Sequence, residues 1–266
     1  MSDMEEHVIR IAREAGAAIM QVYQREKPPR ITTKPDDSPV TEADIMAHEV
    51  IKDGLLAIDD SIPIVSEEGR IGDPRLSDTT WLVDPLDGTK EFIKKNGMFT
   101  VNIALMSRNG NRWTPRFGVV FAPVSGTTWM GGTNHPAERT SHGNTTRIRV
   151  NQDPGEPVRL VASGSHRGEN DGAFATELGN HDLIRMGSSL KACVVAEGSA
   201  DVYPRFGPTS CWDIAAAHAI VEAAGGIVIG PDTTPLDYDI LENVLNPFFM
   251  VACSDKWNDI WQANQN

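Results

Sequence analysis

The densest chemistry in the chain lies in Trp81-Leu82-Val83-Asp84-Pro85-Leu86-Asp87-Gly88-Thr89-Lys90-Glu91. An apolar run ends at Asp84, Pro85 fixes the backbone, and Gly88 opens conformations closed to other residues. Asp84 and Asp87 therefore flank a tight turn at a strand end, where both carboxylates can converge on one point. Converging carboxylates repel unless cations lie between them, and hard oxygen donors favour Mg²⁺. Thr89–Lys94 reads as the start of a helix whose free N–H groups would face a phosphate. Taken alone, the stretch fits a plain strand–turn–helix better than a metal site, because Asp-Gly is common in turns.

Three more acidic positions shift that balance. Ser66-Glu67-Glu68-Gly69 follows the apolar run Ile62–Val65, which places a second carboxylate pair at a strand end. Asp213 is the only acid near the start of the apolar helix Cys211–Ala224, and Asp44 opens another helix near Thr41. Thr41-x-x-Asp44 and Ser210-x-x-Asp213 both match a capping box, the better reading of either one alone. Capping and metal binding are compatible, since a first-turn carboxylate projects off the helix end.

These groups need elements to hold them. Val8, Ala12, Ala15, Ile19 and Val22 share one helical face, and Pro28-Pro29 ends that helix. A second helix runs from Thr41 towards Asp59-Asp60. Ile62–Val65, Trp81–Val83, Phe99–Met106, Phe117–Phe121 and Thr127–Met130 read as strands, several without intervening helices, so part of the sheet is expected to be antiparallel. Thr133–Thr146 is polar and aperiodic and reads as an exposed loop. Asn151–Pro157 is the candidate boundary between residues 1–155 and 156–266. Beyond it, strands at Val158–Ala162, His181–Met186 and Val202-Tyr203 alternate with helices at Glu169–Leu178, Ser188–Glu197 and Cys211–Ala224. Strands Ile227–Ile229 and Phe248–Ala252 and a helix Asp255–Gln262 complete a layered α/β half.

Composition narrows the function. In 266 residues, 24 Lys+Arg against 37 Asp+Glu give a net charge of −13, which disfavours a broad grip on nucleic-acid backbones. Small phosphorylated substrates stay open, since divalent cations supply the missing positive charge. No stretch approaches the ~20 apolar residues of a membrane span, and the acidic N-terminus lacks the basic and apolar regions of a signal peptide. Cys193, Cys211 and Cys253 are widely spaced and form no CxxC pair, which predicts a reducing compartment without disulfides.

Four segments, in this order, resemble the inositol monophosphatase superfamily: Ser-Pro-Val-Thr-Glu-Ala-Asp (38–44), Val-Ser-Glu-Glu (65–68), Trp81 to Phe92, and Cys-Trp-Asp-Ile-Ala-Ala-Ala (211–217). The match runs from near residue 8 to near residue 252. Within it, Lys90–Gly97, Phe99–Leu105, Gly187–Lys191, Ala196–Gly198 and Tyr203–Thr209 resemble the 3'(2'),5'-bisphosphate nucleotidases, notably the bacterial type tied to sulfate assimilation. Met98 stands where an acid is usual, and Gly164 where arginine is frequent.

The resemblance implies an α+β fold, a layered αβαβα sandwich with the site between its halves. It implies Mg²⁺, two or three ions: one held by Glu67, Asp84 and the Leu86 carbonyl, another by Asp84, Asp87 and Asp213. Glu67 and the Thr89 hydroxyl, backed by Asp44, would orient and activate the attacking water. The Gly88 and Thr89 N–H groups would bind the departing phosphate. Lys191, Arg205 and Ser188 would meet the retained 5'-phosphate, with Ser165 and His166 lining that pocket. The implied reaction removes the 3'-phosphate of adenosine 3',5'-bisphosphate, yielding AMP, with lithium as an inhibitor. The implied location is the cytoplasm, a peripheral place on the inner face of the membrane being compatible with it.

Three other readings compete. Ser188-x-x-Lys191 fits the acyl-serine motif of penicillin-binding enzymes, but the chain lacks its Ser-Asp-Asn and Lys-Thr-Gly partners. A non-enzymatic phosphate-ligand sensor would keep the metal carboxylates yet lose the water-activating pair, whereas Thr89 and Asp44 are both present. An inositol-1-phosphatase or sugar-bisphosphate phosphatase shares the catalytic core, so only the Lys-Glu-Phe and Tyr-Pro-Arg-Phe-Gly-Pro-Thr segments favour the nucleotide.

Overall fold

The computed structural model describes residues 3–27, 29–33, 39–163 and 168–265. Helices α1 (Asp3–Tyr23) and α2 (Glu42–Ile58) pack together, and strands β1 (Ile31–Thr33) and β2 (Pro39–Thr41) form an antiparallel ribbon between them in sequence. Residues 64–147 then build a sheet from β3 (Ile64–Ser66), β4 (Gly69–Ile71), β5 (Thr79–Asp87), β6 (Thr100–Asn109), β7 (Arg112–Ala122), β8 (Thr127–Gly132), β9 (His135–Ser141) and β10 (Asn144–Arg147). The short helix α3 (Thr89–Ile93) follows β5. Spatial order is β10-β9-β8-β7-β6-β5-β3-β4, and every neighbouring pair is antiparallel except β3 with β5.

The second sheet is drawn from β11 (Val158–Ser163), β12 (His181–Met186), β13 (Val202–Arg205), β14 (Ile227–Ile229) and β15 (Phe249–Ala252). Its helices are α4 (Glu169–Leu178), α5 (Leu190–Ala196), α6 (Cys211–Ala223) and α7 (Asn258–Ala263). Strand β11 lies parallel to β12 and β13, while β15 runs antiparallel to β13 and β14. The layers succeed one another as α1 and α2, the eight-stranded sheet, α5 and α6, the five-stranded sheet, then α4 and α7. This is the expected αβαβα sandwich.

Side-chain alternation explains the stacking. On β5, β6 and β7, Trp81, Val83, Val101, Ile103, Phe117 and Val119 face the α1/α2 core, while Leu82, Ala104 and Val120 face the α6 core. A sheet covered on both faces needs apolar residues at both phases, hence the near-continuous apolar runs. Helix α6 lies unusually close to β7. A Cβ at Gly118 would sit 2.1 Å from the Ala216 carbonyl oxygen, so only glycine fits there. Among the described residues no helix is long and apolar enough to cross a membrane.

One expectation fails. Thr133–Thr146 is not an open loop but most of the hairpin β9–β10. Ser141 pairs with Asn144 across His142 and Gly143, whose φ values of 50° and 79° suit a two-residue hairpin turn. The strand β10 is exposed at all four positions, so no apolar alternation marks it. Cross-strand contacts such as Thr140 with Thr145, 2.8 Å between hydroxyls, hold it instead.

Candidate active site

Parallel pairing of β3 and β5 sets Ser66 opposite Val83, so the residues that follow, Glu67 and Asp84, emerge side by side at the strand ends. The Glu67 N–H donates to the Val83 carbonyl at 3.1 Å, continuing the pairing one step further. Strand β5 then runs irregularly from Asp84 to Asp87 against β6. The Leu86 N–H donates to Asp84 Oδ1 at 3.0 Å, closing the turn that the Asp-Pro-Leu-Asp spacing predicts. Gly88 follows with φ 94°, beside the Met98 carbonyl.

Asp213 arrives from the other side, in the first turn of α6. The Ser210 N–H donates to Asp213 Oδ2 at 2.9 Å, so the residue caps its helix. Capping and convergence coexist, for Asp84, Asp87 and Asp213 each bring a carboxylate oxygen within 4.8 Å of the other two. Glu67 stands outside this tight trio but lines the same cleft, of about 860 Å³, a volume typical of small-ligand sites. Burial, then Glu67, Asp87 and Asp213, push Asp84 well above the usual carboxylate range. Burial and Asp87 push Asp213 up to about 7. Such mutual repulsion among hard oxygen donors is what a divalent cation relieves, so the trio fits a metal.

Asp44 serves two purposes. Its Oδ2 accepts from the Thr41 N–H at 2.8 Å and the Thr41 hydroxyl at 2.7 Å, capping α2. Its Oδ1 accepts from the Thr89 hydroxyl at 3.2 Å, 45 residues away. Burial, the largest influence, raises the Asp44 pKa against the hydrogen bonds from Thr41.

The cations occupy an adjoining recess of about 150 Å³, walled by Asp87, Asp213, Ser188, Lys191, Tyr203 and Arg205 among others. Lys191 is not a solvated helix lysine; it is 8% exposed. Its Nζ donates to the Ser188 carbonyl at 2.7 Å and lies 5.5 Å from the centre of the Tyr203 ring. Burial, with Arg205 adding to it against the pull of Asp87, lowers its pKa to about 8. Arg205 donates from Nη2 to the Pro208 carbonyl at 3.0 Å, while its buried Nε has no partner among the described residues. Ser188 adopts φ 49° at the turn into α5. Ser165, His166 and Gly164 lie outside the described residues.

Sequence reasoning missed Ser189 and Asn102. The Ser189 N–H and hydroxyl lie 2.6 and 2.7 Å from Asp87 Oδ2, and Asn102 Nδ2 lies 2.6 Å from the Ser189 hydroxyl. A signal existed for Asn102. It interrupts the apolar run Phe99–Met106 two residues after Thr100, and β6 sets these two opposite Asp84 and Asp87.

The sequence profile described as the inositol monophosphatase family matches residues 1–249. A 3'(2'),5'-bisphosphate nucleotidase CysQ of Escherichia coli O6:H1 is 47% identical over 251 residues, covering 94% of this chain and 99% of that protein. The crystal structure of CysQ from Bacteroides thetaiotaomicron, described as a bacterial member of the inositol monophosphatase family, superposes with a TM-score of 0.79 at 39% identity. That match covers 94% of this chain and 97% of the other. The suhB protein of Bartonella henselae, at 22% identity and a TM-score of 0.82, shares the fold over 100% of this chain and 99% of its own. With the profile matching most of its length and a relative 47% identical over 94% of it, the chain belongs to the inositol monophosphatase family.

Proposed function

We propose that this protein is a Mg²⁺-dependent phosphatase that removes the 3'-phosphate of adenosine 3',5'-bisphosphate, giving AMP and phosphate. The observation that carries the reading is the adjacency of two opposite charge centres. Asp87 and Asp213 of the trio line the same recess as the buried cation Lys191 and Arg205, whose buried Nε has no partner among the described residues, while Asp84 lines the adjoining cleft. A substrate with two phosphates satisfies both. The 47% identity to a nucleotidase over 94% of the chain supports the same choice.

Asp84, Asp87 and Asp213 would hold one Mg²⁺, and Glu67, Asp84 and the Leu86 carbonyl a second. Bound there, Mg²⁺ supplies Lewis acidity and neutralises charge on the reacting phosphate. The remaining chemistry belongs to the chain. Because the Thr89 hydroxyl donates to Asp44 Oδ1, its lone pairs are left to accept from an attacking water. Glu67, which lines the same cleft, would take that water's proton. The N–H groups of Gly88 and Thr89 would steady the departing phosphate, and Lys191, Arg205 and Ser188 the retained one. The site asks for a small phosphorylated nucleotide rather than a polymer, and a cytoplasmic protein suits that substrate. No observation supports a peripheral membrane position.

The test is a parallel assay of adenosine 3',5'-bisphosphate, inositol 1-phosphate and fructose 1,6-bisphosphate, with Mg²⁺ and with excess chelator. The bisphosphorylated nucleoside should give the highest kcat/KM, and the chelator should abolish all turnover. Inositol 1-phosphate as the better substrate would overturn the nucleotidase assignment while leaving the metal phosphatase.

A further inference from the structure

Asp87 is held on one oxygen by groups from both halves of the molecule. Its Oδ2 accepts from the Ser189 N–H at 2.6 Å, lies 2.7 Å from the Ser189 hydroxyl and 3.3 Å from Asn102 Nδ2. With Oδ2 so engaged, Oδ1, which accepts no hydrogen bond among the described residues, is the oxygen left for a cation. Ser189 also reaches the second half of the trio, its hydroxyl lying 2.8 Å from the Asp213 carbonyl oxygen. A hydroxyl has a single proton, so it serves Asp87 or the Asp213 carbonyl at any instant while accepting from Asn102.

Asn102 is 1% exposed and Ser189 3%. The Asn102 Oδ1 is buried without a partner among the described residues, so its amide is oriented by what Nδ2 donates to, namely Ser189 and Asp87. The asparagine therefore bears a desolvation cost that packing alone does not require; an apolar residue would bury there without it. We propose that Ser189, backed by Asn102, is a positioning residue for the metal trio, a latch by which the second sheet's helix α5 fixes the rotamer of Asp87 on the first sheet. This inference rests on the metal-phosphatase reading above. Groups that orient ligands in this way typically change metal affinity by about 10- to 100-fold when removed.

The experiment titrates Mg²⁺ into metal-free full-length protein by calorimetry, with thermal melting of each metal-free variant alongside. Ser189→Ala should raise the Mg²⁺ dissociation constant about 10- to 100-fold, and Ser189→Thr, which keeps a hydroxyl, should recover most of the loss. Asn102→Ala should weaken binding in the same direction by a smaller factor. Catalysis should follow, with more Mg²⁺ needed for half-maximal rate while the KM for the bisphosphate at saturating Mg²⁺ stays near the unmutated value. Unchanged Mg²⁺ affinity in Ser189→Ala, whatever its melting temperature, would overturn the latch and leave Ser189 a packing residue. Should Ser189→Ala fail to fold, unchanged affinity in Asn102→Ala would overturn it equally. Calorimetry needs no substrate, so an unmutated protein that binds Mg²⁺ but spares the bisphosphate sinks the nucleotidase reading alone. An unmutated protein that binds no Mg²⁺ sinks the metal reading and the latch together.

Discussion

Two ends of one cavity have been buried to similar effect with opposite charges. At one end Asp213 is pushed up to about 7, and at the other Lys191 is lowered to about 8. Both groups are driven towards neutrality, yet for different reasons. The acids repel one another, and that repulsion adds to their desolvation. The lysine suffers mainly from desolvation and is partly rescued by Asp87. The lesson is that the two ends favour opposite partners: a cation would relieve the repulsion among the acids, and an anion beside Lys191 would favour its charged form.

The strongest way to break the comparison is to remove a metal ligand. Asp87→Asn should lower kcat by more than 100-fold, beyond the roughly 10- to 100-fold cost of groups that only orient ligands. Its metal-free melting temperature should hold or rise, since one like charge has left the trio. A large fall in stability would mean that Asp87 is chiefly structural.

Next, Lys191→Met removes the cation while keeping a long apolar side chain. Loss of a charge-assisted contact is worth about 1.5–3 kcal/mol, or about 10- to 150-fold in kcat/KM for the bisphosphate. Inositol 1-phosphate hydrolysis should change far less. Equal losses on both substrates would assign Lys191 to packing against Tyr203.

A smaller effect separates the ends by pH. Lys191 carries its charge below about 8 and loses it above. The preference for bisphosphate over monophosphate should therefore fall as pH rises through 8, by up to about tenfold. Lys191→Met should abolish that slope.

The smallest concerns stability without metal. Asp213 has a raised folded-state value, so between the unfolded value of 3.8 and about 7 the folded protein binds more protons than the unfolded chain. That contribution is present at low pH and is lost as pH rises through about 7, and Asp84 is raised in the same direction by burial and its acidic neighbours. In chelator, melting temperatures should decline by a few degrees across that window relative to Asp213→Asn. Saturating Mg²⁺ should flatten the difference, because the ion replaces the proton.

What the sequence made legible was local. Asp84, Asp87, Gly88 and Thr89 stand within six residues, and their turn chemistry is written in Pro85 and Gly88. The helices and most strands announced themselves by apolar periodicity, because each has a face to bury. The hairpin β9–β10 did not, since an exposed edge has no such face. The Ser189–Asp87 contact joins residues 102 apart, and nothing in either neighbourhood specifies the pairing. The burial of Lys191 was equally hidden, because α5 spans only 7 residues and shows too little periodicity to reveal which side faces inward.

The glycine at 118 touches no ligand, yet it sets where one of them stands. Ala216, whose carbonyl presses on that glycine, follows Asp213 by three residues along a rigid helix. At about 1.5 Å of rise per residue, roughly 4.5 Å of helix joins the two. Any side chain at 118 would act as a wedge under a short lever, and its displacement would be delivered almost undiminished to the Asp213 carboxylate. The bare backbone of β7 is thus a gauge block for the distance between the two halves of the cluster, and the tolerance of the chemistry is machined into the middle of a sheet.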